Sequence, residues 1–168
     1  MKYLALIIFL SLACTKKDSP ENQVFDIKHQ HGKASLNMTF EDLKGEATLV
    51  IGGYDLYGFE HQAKNAEDKK KQEQALKFLS DYFRKMISFN QIPCQYETQK
   101  VELREGNNHS EVQATYNITC EKNIEESYLI LTLGQFYKDL AQLDLSIKTS
   151  KIHFQTEAIK GLGTFQIK

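Results

Sequence analysis

The sequence predicts an α+β fold: a mainly antiparallel sheet of about eight strands packed against one long helix. Three observations predict it. Residues 33–40 alternate strictly between polar and apolar side chains. Residues 76–87 instead repeat apolar side chains at helical spacing. From residue 94 onward alternation returns, broken by short polar turns. A chain of 168 residues, 41% hydrophobic, suits one globular core and leaves little room for a second.

Residues 1–13 read as an export signal. Lys2 supplies a minimal basic start, and YLALIIFLSLA is an apolar run too short to span a bilayer as a helix. Ala13 followed by Cys14 resembles the lipobox of bacterial lipoproteins. That resemblance implies cleavage before Cys14 and lipid on its thiol. An ordinary secretory signal cleaved nearby is the alternative. By analogy with lipoproteins, Thr15 after Cys14 gives no inner-membrane retention signal, so the resemblance implies the outer membrane. Residues 14–24 hold the polar stretch TKKDSPENQ and read as the lipidated end and a flexible tether. A single domain is expected over 25–168.

The first strand begins at Lys33. Ala34, Leu36, Met38 and Phe40 fall on one face, and Lys33, Ser35, Asn37 and Thr39 on the other. That is the period of a half-buried strand. EDLKG makes a turn, and EATLVIGG follows as a second strand with Ala47, Leu49 and Ile51 inward. Glycines punctuate the loop GGYDLYGFEHQAK. Asn65 is placed as an N-cap with Asp68 three residues on, and the helix runs from about Ala66 to Ser88. Leu76, Leu79, Phe83, Met86 and Ile87 form its buried stripe, while EDKKKQEQ is a solvated face.

Pro93 ends that region. CQYETQKVELRE and SEVQATYNITC then flank the turn GNNH as a hairpin. In its second strand Val112, Ala114, Tyr116, Ile118 and Cys120 share the core-facing parity. SYLILTL is a continuous apolar run, expected as a strand buried on both faces. GQFYKDLAQ is expected as a short helix. LDLSIKT, KIHFQTE and GTFQIK supply the closing strands.

A net charge of −1 gives no pull towards nucleic acid. Neither G-x-S-x-G nor H-E-x-x-H occurs, so the chain is expected not to be an enzyme. With Cys14 spent on lipid, Cys94 and Cys120 remain as an even pair. In an oxidising envelope that reads first as a disulfide, with zinc thiolate ligation as the other reading. His29 and His31 share parity with the polar face of the first strand. If that strand starts early enough, both rings lie on one side, about 6.6 Å apart at the backbone. They then form either a metal clamp or a solvated pair. Gly58-Phe59-Glu60-His61 offers a third imidazole, with Glu60 as a fourth ligand from a loop able to bend back over the sheet. His109, in the GNNH turn, reads as an accessory or as merely exposed, and His153 as a surface residue.

His31-Gly32-Lys33-Ala34 with Leu36, then Gly58-Phe59-Glu60-His61, then Cys94 and Cys120, together resemble the pattern of the ZrgA family of bacterial periplasmic proteins, linked to zinc uptake. The likeness spans about residues 27–168, and the combination of H-x-H-G with G-F-E-H is its most specific part. It implies an exported zinc-binding protein, with His29, His31 and His61 as candidate ligands beside the cysteine pair. The partners it implies are a divalent metal ion, the membrane through the lipid anchor, and envelope transport components. Many relatives carry a long His/Asp-rich run between the cysteine positions. Here that region is REGNNHSEVQ, with one histidine, so a zinc reservoir is not expected. The competing reading is a non-enzymatic envelope interaction module without a metal site.

Overall fold

The computed structural model describes residues 31–106 and 109–168. The signal segment, Cys14, the tether and His29 lie outside the described residues. Among the described residues nine strands form two sheets. The larger has six strands and the smaller three.

The alternation read in the sequence builds the larger sheet. β1 (Lys33–Glu41) and β2 (Lys44–Gly52) pair antiparallel as a hairpin. β4 (Cys94–Glu105) and β5 (Ser110–Cys120) form a second hairpin, and β5 pairs antiparallel with β2. β7 (Gln142–Lys148) lies on the other side of β1, followed by β8 (His153–Ile159). Register puts inward residues in one row across the sheet: Val101, Ala114, Leu49, Leu36 and Leu145 are successive partners. Four of these are at most 2% exposed, so the row is core rather than surface. The β1–β7 pair is parallel, the one exception to the antiparallel expectation among the described strands.

The predicted helix is α2 (Ala66–Met86). Asn65 caps it: its side chain accepts the Asp68 N–H at 2.9 Å, satisfying one of the donors a helix start leaves open. Leu79, Phe83 and Met86 are buried, and Phe83 stacks on Tyr116 with ring centroids 3.5 Å apart. The Tyr116 hydroxyl donates to the Leu79 carbonyl, so the central strand pair and the helix share one buried contact.

Several expectations need correction. The helix stops at Met86, and Ile87–Phe89 form β3 instead of a last turn. Ile87 is extended, pairs with Leu131 and still buries its side chain, which suits a β-branched residue. The GQFYKDLAQ helix is reduced to a single 3-10 turn, Leu133–Gln135. β6 (Tyr128–Thr132) buries Leu129 and Leu131, but Tyr128 is exposed. It is the middle strand of the small sheet, between β3 and β9 (Leu162–Gln166), and only one of its faces meets the core. The glycine loop contains a five-residue helix, α1 (Gly53–Tyr57). The expected mainly antiparallel sheet of about eight strands roughly fits the nine found among the described residues, where sheet outweighs helix.

Cys94 and Cys120 face each other in the β4–β5 ladder and are joined as a disulfide. With the sulfurs bonded to each other, thiolate ligation of zinc is set aside.

Candidate metal centre

The start of β1 differs from its sequence reading. The strand begins at Lys33, and Gly32 is left-handed at φ +75°. His31 therefore stands before the strand, and the parity that placed it on the polar sheet face does not apply. Gly32 is held from both sides. Its N–H donates to Asp55 Oδ2 at 3.1 Å, and its carbonyl accepts from the Ala141 and Gln142 amides at 2.7 and 2.8 Å. A Cβ there would lie 3.1 Å from both the Ala141 Cβ and the Asp139 carbonyl oxygen. Glycine meets both demands, the positive φ and the close approach.

The second part of the site comes from α1. The chain leaves β2 at Gly52 and turns directly into this helix, which ends at left-handed Gly58. One side chain of α1 grips each neighbour. Asp55 holds the Gly32 turn, and the Tyr57 hydroxyl bonds the Ser110 hydroxyl at 2.7 Å in a buried contact. A Cβ at Gly53 would collide with those two hydroxyls, so glycine lets α1 sit close to β5. Ser110 follows His109 directly, so the same short helix fixes the chain beside both histidines.

Glu60 completes the cluster. Its side chain is only 9% exposed, against 61% for His31 and 45% for His109. Oε1 lies 3.5 Å from His31 Nδ1, and Oε2 lies 2.7 Å from His109 Nδ1. An ionised carboxylate only accepts, so the His109 contact puts that ring's proton on Nδ1. The lone pair of the neutral imidazole then sits on Nε2, the tautomer in which a histidine ligates a metal while donating to a carboxylate. The His31 ring also meets Tyr54 edge-on at 5.2 Å.

Burial pushes the Asp55 carboxyl above the usual carboxylate range. The Gly32 N–H and the His31 ring pull it down, while Asp139 and Glu60 push it further up. Burial likewise raises the Tyr57 phenol, against its bond to Ser110.

Of the residues singled out in the sequence, the fold brings His31 and Glu60 together. His61 is engaged elsewhere: its ring stacks on Phe59 at 4.8 Å and its Nδ1 lies 2.9 Å from the Gln62 carbonyl. His109 is the member that sequence reasoning undervalued. The signal lay in the hairpin: its turn falls at the end of the sheet where β1 starts and β2 stops, once β2 pairs with β5. His153 lies towards the opposite end, paired with Lys148 across β7–β8. The disulfide closes the end of the β4–β5 hairpin remote from His109. Among the described residues no set of three or more His, Cys, Asp or Glu side chains stands in metal-holding geometry. His31, Glu60 and His109 thus form a polar cluster around one carboxylate and not a ready coordination shell.

The family model described as ZrgA family zinc uptake protein matches residues 28–167, and the chain belongs to that family. No curated protein matches the chain.

Proposed function

We propose that this member of the zinc uptake family binds a zinc ion at the His31–Glu60–His109 cluster and carries it in the bacterial envelope. The observation that carries the reading is the nearly buried Glu60 carboxylate meeting two imidazoles from separate chain segments. Imidazole nitrogen and carboxylate oxygen are donors that zinc takes, and a carboxylate fixing the histidine tautomer strengthens ligation. His29, two residues before His31, is the next candidate ligand. Both described histidines are substantially exposed, which suits an ion that arrives and leaves. With a single histidine in REGNNHSEVQ, capacity is about one ion per chain rather than a store.

The apolar leader and Ala13-Cys14 support export and a lipid anchor, facing the periplasm from the outer membrane. The Cys94–Cys120 disulfide supports the same compartment, because such bonds persist where the surroundings are oxidising. In this reading the protein is a carrier and not an enzyme, and its partners are envelope transport components.

Calorimetric titration of the mature protein with zinc tests the proposal. Wild type should take up about one ion at neutral pH and bind it more weakly below about pH 6, where imidazole protonates. His31→Ala, His109→Ala and Glu60→Gln should each lower affinity by about tenfold or more, and His61→Ala should leave it unchanged. No zinc uptake at neutral pH, or uptake indifferent to His31 and His109, defeats the reading.

A further inference from the structure

Phe78, Tyr82, Phe136 and Leu162 form an apolar patch away from the histidine cluster. Phe78 and Tyr82, one turn apart on α2, stack with ring centroids 4.6 Å apart. Phe136, directly after the 3-10 turn, meets Phe78 at 5.7 Å. Leu162 opens β9 and pairs with Thr132, whose hydroxyl donates to the Lys85 carbonyl. Lys85 lays its ammonium over the Tyr82 ring, 4.7 Å from the centroid. Tyr82, Phe136 and Leu162 are still 37%, 36% and 39% exposed. Single exposed apolar side chains are ordinary, but a contiguous group around a stacked ring pair marks a surface that something covers.

The chain carries a matching segment nearby in sequence. Residues 15–30 are polar apart from Pro20 and one short apolar group, Val24, Phe25 and Ile27. In an extended segment side chains at 25 and 27 point the same way, roughly 6.6 Å apart. That spacing is close to the 5.7 Å between the Phe78 and Phe136 rings. The described chain also starts near the patch. The Gly32 carbonyl accepts the Ala141 amide, and the Ala141 carbonyl accepts the Lys160 amide at 2.8 Å. Gly134 packs against the Lys160 carbonyl and Leu162. Three steps between neighbouring chain segments, each about 4.8 Å, put the near edge of the patch roughly 15 Å from Gly32. Fully extended, Ile27 reaches about 17 Å from Gly32 and Phe25 about 24 Å. Ile27 can therefore span to Phe136 and Leu162, and Phe25 to the Phe78–Tyr82 pair.

We propose that residues 24–27 of this chain dock on the patch, with Ile27 against Phe136 and Leu162 and Phe25 against Phe78 and Tyr82. A tethered segment meets its own patch at a local concentration on the order of millimolar. A contact too weak to hold a separate peptide is therefore enough. Docking shortens the free chain between Cys14 and the domain from residues 14–30 to residues 14–23, a span of about 35 Å instead of about 60 Å. With lipid on Cys14, the contact sets how far the domain stands from the membrane. The proposal goes beyond the zinc-binding reading and does not depend on it.

The sequence contains no Trp, so Phe25→Trp places a single indole in the proposed contact. In the mature protein its emission should lie at shorter wavelength than in the same protein unfolded in urea, and acrylamide should quench it less than half as efficiently. Adding Ile27→Ser should move the emission back towards that of the unfolded chain. Adding Tyr82→Ser with Phe136→Ser should do the same while the circular dichroism melt stays cooperative. Should the patch variant fail to fold, Ile27→Ser decides alone, because it alters none of the described core. Native emission that matches the unfolded chain overturns the proposal, as does emission indifferent to Ile27→Ser. A shift to shorter wavelength that grows with protein concentration assigns the patch to a second copy and overturns it too. So does a shift that appears only with phosphatidylglycerol vesicles, which assigns the segment to a lipid surface.

Discussion

The left-handed turn at Gly32 is the hinge of the site, and substitution there can be compared with an internal control. Gly32 and Gly58 both have positive φ, +75° and +88°. A Cβ in that region costs about 1–2 kcal/mol. Loss of unfolded-state freedom on going from glycine to alanine returns roughly 0.4–1 kcal/mol. The two positions differ in space. At Gly58 a Cβ meets nothing within 4 Å, whereas at Gly32 it meets three atoms of Asp139 and Ala141 at 3.1–3.3 Å. Those atoms cannot readily retreat, because the Ala141 and Gln142 amides are bonded to the Gly32 carbonyl. Overpacking of this kind adds about 1–3 kcal/mol. Gly58→Ala should therefore cost about 1 kcal/mol and Gly32→Ala about 2–4 kcal/mol. Urea unfolding reads the difference as a larger midpoint shift for Gly32→Ala at an unchanged slope. On the zinc site proposed above, affinity should fall with Gly32→Ala too, since the turn carries His31. Equal midpoint shifts for the two variants would refute the crowding argument, and no loss at Gly32 would refute the left-handed turn itself.

Two further outcomes follow from the packing and the surface charges. The disulfide closes a loop between residues 26 apart in sequence. Its reduction, or the double change Cys94→Ala with Cys120→Ala, should cost roughly 3–4 kcal/mol in urea unfolding; unchanged stability would mean that the cross-strand pair adds nothing beyond the β4–β5 ladder. The hydrogen bonds from Thr149 and Lys151 hold the Glu125 carboxyl below its ordinary range. A depressed folded value means that the unfolded chain binds the proton more readily, so this contribution is present at neutral pH and lost as pH falls through the folded value. Wild type should therefore lose its stability advantage over Glu125→Gln in acid, and an advantage that persists there contradicts the assignment.

Much of the fold was legible because it is written in local patterns. Alternation at Ala34 to Phe40 and at Val112 to Cys120 places the same side chains inward that the structure buries. The GNNH turn separates two strands whose ends fall at Glu105 and Ser110. Asn65 and the stripe through Leu79, Phe83 and Met86 mark the helix. Less was legible of the site. Glu60 and His31 were visible as residue types, but the turn that directs His31 depends on Asp55, Ala141 and Gln142. His109 gained its role only through the pairing of β2 with β5 and the Tyr57–Ser110 contact.

Periodicity and caps are interactions between residues a few positions apart, so they decided the strand faces, the helix start and the pool of histidines, cysteines and carboxylates. Pairing of β1 with β7, 109 residues later by Lys33↔Gln142, involves no local signal. Neither does the diversion of β6 into a second sheet, or the joining of residues 31, 60 and 109 around one carboxylate. These depend on which edges remain free once the two hairpins have formed and on what the core needs covered. Only the folded chain decides them, because the contacts that reward them exist only after distant segments have met.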